Sequence, residues 1–155
     1  MTVAVIGIGN PDRGDDALGV QVIARLRGLV GDGVRLASVG GDTLRLFDCW
    51  QGAESVHLVD AMQAGTAPGA VRRIDASRDG VASALGAFVS SHAFGLADAI
   101  ELARNLGRLP RRLVVWGAEA QQFAHGAELS APVQRAADEL ARSIAAECGD
   151  APAAG

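Results

Sequence analysis

The sequence predicts an α/β fold: a three-layer sandwich whose mostly parallel five-stranded sheet has one antiparallel strand and helices on both faces. Three observations carry this. Short runs rich in Val, Ile and Leu alternate with segments whose apolar residues recur at helical spacing. The connection Ala61 to Gly69 is too short for a helical crossover, which takes about a dozen residues or more, so the strand after it should run antiparallel to the one before, at an edge. The third is the opening stretch, an apolar run (Val3 to Ile6) that ends in Gly7-Ile8-Gly9, passes through Asn10-Pro11-Asp12 and Gly14, and opens a helix at Asp15-Asp16.

Taken in order, the first helix is expected from Asp16 to Val30, with Leu18, Val22, Ile23, Leu26 and Val30 on one face and Arg25 and Arg27 off it. Acidic residues in its first turn suit the helix dipole. Gly31-Asp32-Gly33 ends it, and Val34 to Val39 reads as the second strand. Asp42 is a plausible N-cap for a short helix from Thr43 to Trp50. Val56 to Asp60 is a third strand that ends on a carboxylate, and Ala70 to Ile74 a fourth. The segment Asp75 to Val89 is ambiguous. Ser90-Ser91-His92 caps a helix from Ala93 to Leu106, with Leu96, Ala99, Ile100, Ala103 and Leu106 on its apolar side. Leu113 to Trp116 is a fifth strand, Gly117 to Glu128 a loop containing His125, and Ser130 caps a last helix to Glu147 with Val133, Ala137, Leu140 and Ile144 inward.

At 155 residues the chain suffices for one domain, expected over 1–148, with a disordered tail over 149–155. Aromatics are only 4% with no Tyr, so the core must be aliphatic. Net charge is -4 with no basic run, which argues against nucleic acid. Cys49 and Cys148 form no metal or redox motif and read as reduced, mostly buried thiols. No signal-like segment precedes the first strand and no apolar run approaches the ~20 residues of a membrane helix, so a soluble, cytoplasmic protein with no membrane partner is expected.

The right-handed crossover rule brings the ends of strands one and three to one edge of the sheet. That edge should collect Asp16, Asp60 and His92, two carboxylates and an imidazole, a set able to hold a borderline transition metal with positions left open. His92 at a helix N-terminus stays neutral, the form that binds metal. Plainer roles stand beside this one. Asp15 and Asp16 also read as an N-cap and its neighbour, with Asp15 turned back to amides near Leu18, Asp60 as a strand-end cap, and His92 as part of a capping arrangement with the serines. His57 reads as a packed or face-exposed strand residue, and Asp12, Asp42 and Glu119 as loop or cap residues. A dinucleotide fingerprint is disfavoured, because Asp12 stands where the third glycine belongs and Val39-Gly40 where an acidic residue should end the second strand. On the residues alone, the reading stops at an α/β domain with an acidic edge able to bind metal.

Taken together, Gly7-Ile8-Gly9-Asn10 with Asp15-Asp16-Ala17-Leu18-Gly19, Val59-Asp60-Ala61 followed by Pro68-Gly69, Ser91-His92, and Leu129-Ser130 with Val133 resemble the hydrogenase maturation endopeptidases. The resemblance covers nearly the whole chain. It implies a phosphorylase/hydrolase-like fold and a protease that removes the C-terminal extension of an immature nickel-iron hydrogenase large subunit after nickel insertion. It also implies a nickel carried by that substrate and recognised by Asp16, Asp60 and His92, which are then both metal-binding and catalytic residues, with no other cofactor. The family's first ligand is commonly Glu, one methylene longer than Asp16, and Asp15 is the alternative there. Two other readings are a peptidyl-tRNA hydrolase-like esterase, whose first loop is similar to Gly7-Ile8-Gly9-Asn10-Pro11 but which needs a His before His57, and a non-catalytic nickel-binding or chaperone module.

Overall fold

The computed structural model describes residues 2–40, 42, 44–77, 85, 86, 88 and 95–149. Five strands form one sheet in the order β2-β1-β3-β5-β4: β1 (Val3–Ile8), β2 (Val34–Val39), β3 (Ser55–Met62), β4 (Val71–Asp75) and β5 (Arg112–Glu119). Four ladders join them. The ladders β1–β2, β1–β3 and β3–β5 are parallel, and β4 lies antiparallel on β5 at the edge. The short connection after β3 thus turns the chain back, as its length requires, but β5 is inserted between β3 and β4.

Helices α1 (Leu18–Leu26) and α4 (Ala131–Gly149) cover one face of the sheet, and α2 (Arg45–Trp50) and α3 (Leu96–Asn105) the other. Strand alternation feeds both layers. Val3 and Val5 join Leu18, Val22, Ile23, Val133, Leu140 and Ile144 on the α1/α4 side. Ala4, Ile6, Ile8, Leu58 and Met62 join Leu46, Trp50, Leu96 and Ile100 on the other. Because β1, β3 and β5 are covered on both sides, they are continuous apolar runs, the signature by which the sequence marks central parallel strands.

Several boundaries differ from expectation. The first helix begins as a 3-10 turn (Gly14–Ala17) and its α-helical part ends at Leu26, not Val30. Asp42 does not cap α2; its side chain accepts the Leu44 N–H in a turn of its own, and the helix begins at Arg45. β3 and β5 run past their predicted ends because each continues to pair with the other as far as Met62 and Glu119. The predicted Ser90-Ser91-His92 cap lies outside the described residues; α3 starts at Leu96 after Gly95, whose N–H donates to Asp98. α4 extends to Gly149, and residues 150–155 lie outside the described residues. Cys148 is buried and Cys49 half-buried, both as free thiols, and burial pushes the Cys148 thiol up to about 11, which keeps it protonated. Among the described residues no helix is long and apolar enough to cross a membrane.

Candidate active site

The site is built where β1 stops. A Cβ on Gly19 would lie 2.4 Å from the backbone nitrogen of Ile8, and one on Gly7 would lie 2.3 Å from the Gly19 carbonyl oxygen. These two residues let α1 touch the end of β1 backbone to backbone, the close helix–strand approach that only glycine permits. Gly9 takes a positive φ of 128° and leaves room for the Asp16 carbonyl, which would lie 2.2 Å from any Cβ there. The Asn10 N–H then donates to the Asp16 carboxylate at 2.8 Å. The glycine pattern of the first loop therefore sets where Asp16 stands.

Asp60 arrives from β3, on the same edge of the sheet, opposite Gly117 of β5. Asp16 and Asp60 are 5% and 2% exposed, so the pair is largely withdrawn from solvent, where two carboxylates repel strongly. The Asp60 carboxyl is held well above the usual carboxylate range, first by burial and then by the Asp16 charge beside it, against a partly offsetting N–H donated by Ala61 at 2.9 Å. The structure thus brings two of the three predicted site residues together. His92 lies outside the described residues. Among the described residues, no three His, Cys, Asp or Glu side chains converge as a metal site.

Asp15 departs from its predicted role. It is fully buried, and no side chain caps the turn that begins helix one. Its carboxylate points to the loop between β5 and α4, where it accepts the N–H groups of Gln121 (2.7 Å), Gln122 (3.0 Å) and Ser130 (2.8 Å) and the Ser130 hydroxyl (2.8 Å). Its own N–H donates to the Gln122 carbonyl. Ser130, expected to cap α4 with its hydroxyl, spends it on Asp15. The same two loops are joined again where Gly126 N–H donates to the Asp12 carbonyl and Arg13 bridges to His125. His125 itself is exposed on this loop. Asp15 is therefore the post that fixes the first loop, and Asp16 is the neighbour left to face Asp60.

Two further buried polar residues flank the site, and one of them departs from its expected role. Glu119, taken for a loop or cap residue, ends β5 at 4% exposure, and its carboxylate accepts the N–H groups of Ala64 and Thr66. It pins the loop that follows Asp60. His57 sits on the α1/α4 face and accepts the indole N–H of Trp116 at 3.0 Å; burial pushes its pKa down to about 4, so the ring is neutral. Its place as a packed strand residue is the expected one.

Comparison with known proteins gives this arrangement a family. The family model described as hydrogenase maturation protease matches residues 20–147. The hydrogenase expression/formation protein HoxM of Azotobacter vinelandii is 33% identical over 94% of this chain and 70% of its own length. HupD of Bradyrhizobium diazoefficiens is 31% identical over 94% of this chain and 76% of its own. Among solved structures, the hydrogenase maturating endopeptidase HybD from E. coli has the same fold at 22% identity, with a TM-score of 0.84 over 98% of this chain and 94% of that one. The maturation protease HycI from Thermococcus kodakarensis, at 26% identity, has a TM-score of 0.73 over 96% of this chain and 93% of that one. The fold read from the sequence and the reading of an endopeptidase both hold, and the chain belongs to the hydrogenase maturation protease family.

Proposed function

We propose that this protease removes the C-terminal extension of a nickel-iron hydrogenase large-subunit precursor once nickel is in place, and that it recognises the metal on the substrate. The observation that carries the reading is the Asp16–Asp60 pair. Two largely buried carboxylates at one sheet edge, one of them raised well above the usual carboxylate range by burial and then by the charge of the other, are poised for a cation that arrives and relieves the repulsion. Hard oxygen donors without a thiolate favour transient engagement over a tight resident ion. His92 completes the donor set in this proposal, carried by its place in the Ser91-His92 motif. Asp16 and Asp60 then orient the metal-bearing end of the substrate, and the bond to be cut lies beside them.

The test is processing of purified precursor, with and without nickel, followed by mass spectrometry. The proposal expects a single shortened product from the nickel-loaded form and none from the metal-free form. Equal cutting of both, or a tight stoichiometric nickel site in the free protease by calorimetry, would overturn substrate-borne recognition. A non-catalytic nickel module would leave the precursor at full length.

A further inference from the structure

A polar cavity of about 380 Å³ lies between the first loop, α1 and the loop entering α4, and it begins at Ala17, the residue after Asp16. Its volume falls in the usual range for ligand sites. Asp12, Gln21, Arg25, Glu128 and Gln134 line it, and the roles described above use none of their side chains.

The hydrogen bonding of these side chains is half complete. Arg25 gives Nε–H to Asp138 at 2.6 Å and another N–H to the Gln21 side-chain oxygen at 3.1 Å. Gln134 donates its amide nitrogen to the Leu129 carbonyl at 3.0 Å. Among the described residues this leaves the Gln21 amide NH2 and the Gln134 amide oxygen without protein partners. One donor and one acceptor are the complement of a peptide unit, which offers one C=O and one N–H. The charge is also one-sided. Asp12 and Glu128 face a single guanidinium that Asp138 already pairs, so the cavity is acidic on balance. Its walls are tied to each other through the Asp12–Gly126 hydrogen bond and the Asp15 contacts, so a chain entering it meets a preformed surface.

We infer that this cavity binds a neutral-to-basic stretch of the polypeptide substrate next to the cut bond. Gln21 donates to a main-chain carbonyl and Gln134 accepts a main-chain N–H. The inference rests on the protease reading above and adds where the substrate chain lies and which side chains the site prefers.

The probe is a fluorescein-labelled peptide copying the precursor's extension with the residues before the cut, in versions carrying an added Lys or an added Glu, titrated against the full chain. Gln21→Leu removes the free donor, and with it the exposed side-chain acceptor of one Arg25 N–H, and is expected to weaken binding about 3- to 10-fold, the worth of one hydrogen bond. Ala127→Trp fills the cavity without removing a hydrogen bond and is expected to weaken it at least as much. The Lys peptide should bind more tightly than the Glu peptide, and Glu128→Lys should reduce or reverse that order. In precursor processing, both cavity variants should raise KM and leave kcat in place. Peptide affinity and KM that ignore Ala127→Trp in a variant that melts like wild type overturn the inference, as does loss of kcat at constant KM or no binding by the wild-type chain. A wild-type chain that binds the peptide at this cavity but leaves nickel-loaded precursor uncut fails the protease reading instead.

Discussion

Replacing Asp15 with Asn separates a helix cap from the loop post seen here. Asn caps a helix about as well as Asp, so in a cap the change is nearly silent. In the observed geometry both carboxylate oxygens are occupied. Oδ2 receives Gln121 N–H, Gln122 N–H and the Ser130 hydroxyl, and Oδ1 receives Ser130 N–H. An Asn oxygen can keep the two glutamine amides, but its NH2 then meets the Ser130 N–H, donor against donor. The Ser130 hydroxyl can rotate to accept; its backbone N–H cannot. One buried donor left unsatisfied costs about 1–3 kcal/mol, and the remaining bonds lose their charge assistance, so the change should cost roughly 2–4 kcal/mol. Ala should cost more, since every one of these donors then loses its acceptor. The assay is urea unfolding of both variants beside wild type, read at constant m. Asp15→Asn within about 0.5 kcal/mol of wild type would refute the post and restore the cap.

Other outcomes follow from the same geometry. Asp60→Asn removes a carboxyl whose charged form is disfavoured in the folded state, so at neutral pH the variant should melt higher than wild type while losing precursor processing; a lower melting temperature would contradict the burial argument. His57 has a folded pKa depressed from 6.5 to about 4, so its contribution to stability is complete above pH 6.5 and is lost as pH falls towards 4, by up to roughly 3 kcal/mol. His57→Gln should flatten that part of a stability–pH profile, and an unchanged slope would remove His57 as its source. Gly19→Ala drives a Cβ onto the Ile8 backbone at 2.4 Å and should cost about 3 kcal/mol or more by chemical denaturation, with soluble yield falling; a cost below about 1 kcal/mol would mean that the helix moves off the strand freely.

What the sequence made legible was local. The glycines around β1 announce a sharp strand-to-helix turn because no other residue fits there, and the length of the Ala61–Gly69 connection alone forces the chain to turn back. Asp60 reads as an edge residue because a buried strand ends nearby. What stayed hidden was set by distant partners. Asp15 and Asp16 are indistinguishable in composition and spacing, and only the amides of residues 121, 122 and 130 decide which one turns inward. Glu119 looked like loop because its strand outlasts the apolar run through Gly117 and Ala118, sustained by pairing with β3 and β4. The Asp42 reading failed between two local alternatives, an Asx turn and an N-cap, that use the same side chain two residues apart.

The bonds from Asp15 to Ser130 span 115 residues. A nascent or truncated chain that ends before Gln121 therefore has both residues of the Asp16–Asp60 pair but none of the amides that hold Asp15. Contacts this far apart in sequence are the costly ones to close, so the loop carrying Asp16 should be among the last parts of the molecule to order. The geometry of the Asp16–Asp60 pair then waits on residues 121–130, which lie in neither of the strands that end at the pair.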